Sequence, residues 1–234
     1  RAAELAGETS PIDVEGREHV ADPEPLRELT EEFEVRMTTP VRADGFDPTG
    51  DESARASLPE TVGEVLVAGH RAYLDDHEQK KAVAPRLTAA AEAAADPWIG
   101  TEGIERLALA VGGTQFELLS PGTASSVRAL READSSVDIA LYAPVVLSTD
   151  ESTILDAVGE YAARRKRVQQ RLPAETPHDS GATGEGRERL LAGCRAYALV
   201  GSPETVRDRV QRLHEAGVDR IVGYPARGLD PILG

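Results

Sequence analysis

Cysteine, lysine and aromatic side chains are nearly missing from this chain. One cysteine in 234 residues, Cys194, leaves no partner for an intramolecular disulfide and no multi-cysteine zinc or iron–sulfur site. Beside Ala192 and Gly193 it reads as a small buried residue. A chain without disulfides fits a reducing compartment, so a cytoplasmic location is expected. Aromatics make up 4%, too few for a base-stacking nucleic-acid platform. No apolar run reaches the roughly 18 residues of a membrane span, so no membrane insertion is expected. Lysine occurs only at Lys80, Lys81 and Lys166. None of the three falls at an expected strand end, so Schiff-base and pyridoxal chemistry have no lysine to use. No His-x-His, His-Glu-x-x-His or Asp-x-Asp cluster suggests a metal. There is also no Gly-x-Ser-x-Gly elbow, no Walker loop, and no Gly-x-Gly-x-x-Gly after the first strand.

What the chain has in excess is negative charge. Asp and Glu number 41 against 26 Lys and Arg, for a net charge of −15. The acids are spread over the whole length, which disfavours nucleic acid as a partner. An acidic, lysine-poor, arginine-rich surface resembles that of halophilic proteins from salt-saturated archaeal cytoplasms, where salt screens the mutual repulsion of carboxylates.

Short apolar runs alternate with helical stretches. The expected strands are Ile12 to Val20, Val35 to Val41, Val65 to Ala68, Pro97 to Gly100, Gln115 to Leu119, Ile139 to Leu147 and Arg220 to Gly223. The expected helices are Pro23 to Glu32, Asp76 to Ala95, Ile104 to Val111, Ala124 to Glu132, Glu151 to Arg171 and Gly186 to Ala196. Arg42 to Leu58 and Pro173 to Gly186 read as mobile loops. Arg1 to Ala6 reads as a helix tail capped at Gly7, implying a strand before Arg1. Strand–helix alternation means a parallel sheet with right-handed crossovers. Seven visible strands plus the implied one give an α/β (β/α)8 barrel in a single domain over residues 1–234. A seven-stranded doubly wound sheet is the alternative.

The last third carries the clearest local signals. Ser202 is an N-cap type, Pro203 fits the first helical position, and Glu204 suits the helix dipole. Val206, Val210 and Leu213 fall at i, i+4 and i+7, one apolar stripe on a charged helix. Gly217 stands where a left-handed cap belongs, and Val218 to Tyr224 reads as a buried strand. This Val-Gly-Ser-Pro-Glu-x-Val and Ala-Gly-Val-Asp-x-Ile-Val ending resembles that of the luciferase-like monooxygenases, a superfamily of FMN- and deazaflavin (F420)-dependent oxidoreductases with TIM-barrel folds. The stretch from Trp98 to Gly113 is similar to the family's fifth strand, glycine-rich turn and following helix. The chain also resembles a haloarchaeal branch related to this superfamily. The likeness runs from Pro97 to Pro225 and is thin before that. At Gly112 to Leu119 the acidic residue of the family's usual Ala-Asp-Gly step is absent.

In a barrel the chemistry sits at the carboxyl ends of the strands. Those positions hold Arg17, Glu18 and His19; Arg42, Asp44 and Asp47; Gly69 and His70; Gly100 to Gly103; Glu117, Ser120, Gly122 and Thr123; and Tyr224, Arg227 and Gly228. The Gly100-Thr-Glu-Gly103 turn follows a strand and opens a helix, a geometry that can present N–H groups to a phosphate. The resemblance carries cofactor-phosphate binding to Gly100, Thr101 and Gly103, with Glu102 a departure because a carboxylate repels phosphate. His70, just past a buried strand, suits proton transfer near neutral pH, and His19 holds the corresponding place after its own strand. Arg17, Arg42 and Arg227 are the candidates for holding an anionic substrate. The implied reaction passes a hydride between the deazaflavin or flavin ring and a small-molecule substrate, with a histidine managing the proton. Two other classes stay open. One is a non-catalytic barrel that acts by association with itself, as a homodimer, or with a partner. The other is a phosphate-binding barrel lyase or isomerase.

Overall fold

The computed structural model describes residues 9–12, 23–32, 34–69 and 74–228. Of these, the residues within 9–117 and 136–140 form one compact unit, and those within 118–135 and 141–228 form a second.

In the first unit the elements are β1 (Thr9–Ile12), α1 (Pro23–Glu32), β2 (Glu34–Pro40), β3 (Gly63–Val67), α2 (Val83–Ala93), β4 (Trp98–Gly100), α3 (Glu105–Val111) and β5 (Thr114–Leu118). The strands pair in serial order and in parallel, with Val65 opposite both Thr38 and Trp98. Serial parallel pairing needs a crossover between each pair of strands. The side-chain alternation of a strand then sorts the residues to two faces. Leu66 and Ile99 join Leu87, Ala90 and Ala108 under α2 and α3. On the opposite face, Trp98 and Phe116 have ring centroids 5.8 Å apart, and the Arg36 guanidinium lies 4.5 Å above the Trp98 ring. Arg36 also pairs with Glu34 and with Asp96, both at 2.6 Å, tying down the amino ends of β2 and β4.

In the second unit the elements are α4 (Thr123–Ala133), β6 (Ile139–Leu147, from Leu141 onward), α5 (Glu151–Ala163), α6 (Lys166–Gln169), α7 (Gly184–Tyr197), β7 (Leu199–Gly201), α8 (Pro203–Glu215) and β8 (Arg220–Pro225). β6 and β7 are parallel, with Val145 opposite Leu199. β8 pairs with β6 rather than extending the order past β7. The core joins Ile154, Leu155 and Val158 of α5 to Leu190, Leu191 and Cys194 of α7.

The C-terminal helix forms as its residue types dictate. Ser202 caps α8 by accepting the Thr205 N–H at 3.2 Å, with Pro203 in the first turn. Its end is a Schellman motif: Gly217 has φ +109°, its N–H reaches His214 O at 2.9 Å, and the Val218 N–H reaches Leu213 O at 3.1 Å. Arg131 then donates to Gly217 O at 2.9 and 2.8 Å and pairs with Asp219.

Several boundaries differ from the sequence reading. The helix expected from Asp76 begins only at Val83. Asp75 Oδ1 instead accepts the N–H groups of His77 and Glu78 at 2.7 and 2.8 Å and closes a tight turn there. Pro85 takes a first-turn position of the helix, where its missing N–H costs nothing. The helix expected from Glu151 to Arg171 breaks at Arg165, which turns extended while its guanidinium stacks 4.2 Å over the Tyr161 ring. The stretch from Pro173 is held against α5 and α7. A Cβ on Gly159 would lie 2.1 Å from His178 O, Glu160 meets His178 Nδ1 at 2.8 Å, and Asp156 accepts the Ser180 N–H at 2.8 Å. Of the strand expected over Ile12 to Val20, and of the helix tail before Gly7, only Ile12 lies within the described residues. It ends β1.

Candidate functional site

The turn between β4 and α3 lies at the carboxyl end of a strand, and packing explains its glycines. A Cβ on Gly100 would fall 2.8 Å from Val67 Cγ1 and 3.4 Å from Leu66 O, and one on Gly69 would fall 2.1 Å from Glu102 O. The end of β3 therefore rests directly on this turn, through two positions that admit no side chain. Gly103 has φ +75° with nothing within 4 Å of a built Cβ, so its requirement is conformational. Thr101 is buried. Its N–H donates to Phe116 O at 3.1 Å, and its hydroxyl to the same carbonyl at 3.3 Å. The Ile104 N–H donates to Thr101 O at 3.0 Å. These donors face the protein, and α3 begins with Glu105 in its first turn.

The electrostatics of the turn are acidic. Glu117 on β5 is half-buried, and burial pushes its carboxyl pKa up. The Thr101 hydroxyl opposes that rise, and the negative charge of Glu105 adds to it. Glu117, with Glu105 acting on it, thus puts carboxylate charge beside Thr101. A like charge at about 6 Å costs a bound anion roughly 1 kcal/mol in bulk-like water and about 3 at an effective dielectric near 20.

The loops after β2 and β3 are joined by a buried ionic clasp. Arg42 is buried and donates to Ala68 O at 3.0 Å and to Gln79 O. Glu78 accepts the backbone N–H groups of Asp44 at 2.7 Å and Asp75 at 2.8 Å. Asp47, 1% exposed, accepts from Thr49 at 2.9 Å and meets Lys81 Nζ at 3.0 Å and Arg86 Nε at 2.9 Å. Burial alone would raise the Asp47 pKa, but Arg86, Lys81 and Thr49 bring it down to about 2. Lys81 also meets Asp44 at 2.5 Å. Burial works to lower the Lys81 pKa, yet Asp44 and Asp47 hold it above its usual value. A lysine distant from any strand end in sequence is thus folded back beside two of them. Its unsuitability as a nucleophile comes from being locked in the ammonium form. Arg42 likewise clasps two loops here and does not point a free guanidinium at solvent.

Gly100, Thr101 and Gly103 are brought into one turn. Arg42 belongs to the neighbouring clasp in the same unit. Arg227 stands exposed just after β8 in the second unit, at the rim of a hollow of about 320 Å³ shared with Thr153 and Asp156. Arg17, His19 and His70, with Glu18, lie outside the described residues. Burial pushes the Cys194 thiol up to about 12, so it supplies no thiolate. A larger hollow, about 580 Å³, opens at the amino ends of β2 and β3 between Arg36, Arg55, Glu60 and Asp96. Its Arg55 pairs with Glu64 at 2.8 Å, and in α/β barrels this end serves stability rather than catalysis. Among the described residues, no group of three or more His, Cys, Asp or Glu side chains is placed to hold a metal ion, and no helix is long and apolar enough to cross a membrane.

The chain belongs to the family of unknown function DUF7388, which it matches over residues 1–232. No curated protein matches it. Among solved structures it is similar to an F420-dependent secondary alcohol dehydrogenase in complex with an F420-acetone adduct. The TM-score is 0.59 at 11% identity, over 96% of this chain and 86% of that one. At that identity the likeness speaks for the fold alone: an α/β chain of parallel strands and crossover helices of the (β/α) barrel type, as the sequence implies.

Proposed function

We propose that this member of DUF7388 is an oxidoreductase of luciferase-like type that passes a hydride between a deazaflavin (F420) or flavin (FMN) ring and a small substrate. The observation that supports this is the fold, shared along 96% of the chain with an enzyme that is F420-dependent. A bound cofactor of that kind would supply the redox chemistry, while the protein would supply binding and orientation. The donor set of the β4–α3 turn does not fit the phosphate of such a cofactor. Thr101 and Ile104 direct their N–H groups at protein carbonyls, and the Glu117 carboxyl beside the Thr101 hydroxyl, with Glu105 acting on it, would repel an anion there. His70 and His19 stay proposed as the proton-handling groups. Arg17 and the exposed Arg227 stay proposed as partners for an anionic substrate, and a cytoplasmic setting belongs to the same reading. The same carboxylates favour a second reading, a barrel that acts by association and has given up the cofactor.

Titrating F420, and separately FMN, into the purified protein while following ring fluorescence separates the two. The oxidoreductase reading predicts saturable binding of one of them, with a changed absorption band near about 400–450 nm. Absence of binding by both would leave the association reading.

A further inference from the structure

We infer that the hollow between the first turns of α5 and the turn after β8 is a binding site for a small zwitterion of amino-acid type, with Arg227 taking its carboxylate and Asp156 its ammonium group. Binding there needs no redox ring; only the naming of this ligand as the substrate rests on the oxidoreductase reading.

The hollow has a volume of about 320 Å³ and is lined by Thr153, Asp156, Ala157, Ala226 and Arg227, all in the second unit. That is the lower end of the size range of ligand pockets, about 300–1,000 Å³, and it suits a small molecule. Thr153, Asp156 and Ala157 stand at i, i+3 and i+4 on one face of α5. Ala157 and Ala226 pack against the core of this unit, and their methyl groups leave space that longer side chains would fill.

Both charged groups are placed by the fold. The Ala226 N–H donates to Val145 O at 3.1 Å, and the Gly228 N–H closes a turn on Pro225 O at 3.0 Å, with Gly228 at φ +76°. Arg227 sits inside this pinned turn, and among the described residues its guanidinium has no hydrogen-bond or ion-pair partner. Asp156 Oδ1 accepts the Ser180 N–H at 2.8 Å. The Ser180 hydroxyl and N–H hold the Asp156 carboxyl below its ordinary pKa, so it stays ionised near neutral pH. Arg187, the other cation that acts on Asp156, is committed to Ser180 O and Ser152 Oγ, each at 3.3 Å. The Thr153 hydroxyl donates to Asp150 Oδ1 at 2.7 Å, which leaves its oxygen to accept from an ammonium group.

Arg227 and Asp156 thus line one hollow without closing on each other. One ligand carrying both charges satisfies them together. A plain carboxylate on Arg227 would meet the repulsion of Asp156, and a plain amine on Asp156 that of Arg227. A guanidinium also offers a carboxylate two parallel N–H donors, which orients the ligand with its ammonium end toward α5.

The test titrates the isotope-labelled full chain, at constant ionic strength, with glycine, β-alanine and γ-aminobutyrate, and in parallel with propionate and propylammonium. The backbone amide resonances of Thr153, Ala157, Ala226 and Arg227 report binding. The expected result is a saturable shift with at least one of the three zwitterions, half-complete at a concentration at least about tenfold below that needed for propionate or propylammonium. Arg227→Gln and Asp156→Asn should each weaken that binding by about tenfold. The asparagine oxygen still accepts the Ser180 N–H, and amide dispersion checks that both variants are folded. No saturable shift with any of the zwitterions would overturn the inference. So would propionate or propylammonium binding as tightly as the best zwitterion, or folded variants that bind it as well as the unaltered chain. Failure of F420 and FMN to bind leaves this result intact, because the probes here carry no ring, and failure of these probes leaves ring binding to be read separately.

Discussion

Replacing Asp47 with alanine is expected to lower the unfolding free energy by about 3–5 kcal/mol, the cost of leaving buried cations without their counter-charge. The Asp47 carboxylate is 1% exposed and meets Lys81 at 3.0 Å and Arg86 at 2.9 Å. Its loss would take from Arg86 the carboxylate it meets, leave Lys81 to Asp44 alone, and release the Thr49 N–H and hydroxyl. Urea denaturation of the two proteins measures the difference. The pH dependence follows with a definite sign. The folded pKa is about 2 against an ordinary 3.8, so the unfolded chain binds the proton first. The stabilisation is complete above about pH 4 and is lost as the pH falls through about 2; the shift amounts to roughly 2 kcal/mol. An Asp47→Ala protein with the same urea midpoint as the unaltered chain, or one with the same acid-side loss of stability, would show that the clasp is not formed.

Gly69→Ala should be nearly as damaging, at about 3 kcal/mol, because the obstacle is a backbone carbonyl. The added Cβ meets Glu102 O at 2.1 Å, and neither β3 nor the turn can yield without breaking ladder contacts. Gly103→Ala, four residues from Ile99 and free of neighbours, should cost only the left-handed conformation, about 1–2 kcal/mol. The order of the two denaturation midpoints is the diagnostic. If Gly69→Ala proves milder than Gly103→Ala, the contact between the end of β3 and the turn is absent.

Local chemistry made much of the fold legible in the sequence. The α8 cap at Ser202 and Pro203, the Gly217 terminus, and the helix from Pro23 to Glu32 follow from one residue type at one position. Their physics is contained within a few neighbouring residues. β7 was not visible as a strand because three residues, Leu199 to Gly201, are too few to show a period. Its existence depends on β6, far earlier in the chain, where Val145 pairs with Leu199. The helix break at Arg165 was hidden for a similar reason, since the Tyr161 and Tyr197 rings that hold its guanidinium come together only in the folded protein.

The candidate site shows the same divide. That Gly100 to Gly103 forms a strand-to-helix turn is readable from residue types. That Gly69 and Gly100 serve contacts with Glu102 and Val67 is not, because those contacts cross between strands. Arg42 and Lys81 illustrate the point for charged groups. In the sequence one reads as an anion holder and the other as remote from every strand end. In the structure both are fixed in the clasp between the loops after β2 and β3. Glu102 was legible as a departure from a phosphate-binding turn, but the reinforcing carboxylates of Glu105 and Glu117 depend on how α3 and β5 meet.

The central claim, hydride transfer by a luciferase-type barrel, is tested most directly by turnover. The protein is mixed with F420, and in parallel with FMN, together with a panel of small secondary alcohols and their ketones. Reduction or reoxidation of the ring is followed by its visible absorbance. The account predicts protein-dependent ring reduction or reoxidation with at least one substrate, weakened by His70→Asn by roughly 10²–10⁴-fold if that histidine manages the proton. Bound ring that never changes redox state with any member of the panel, or no bound ring at all, would contradict it.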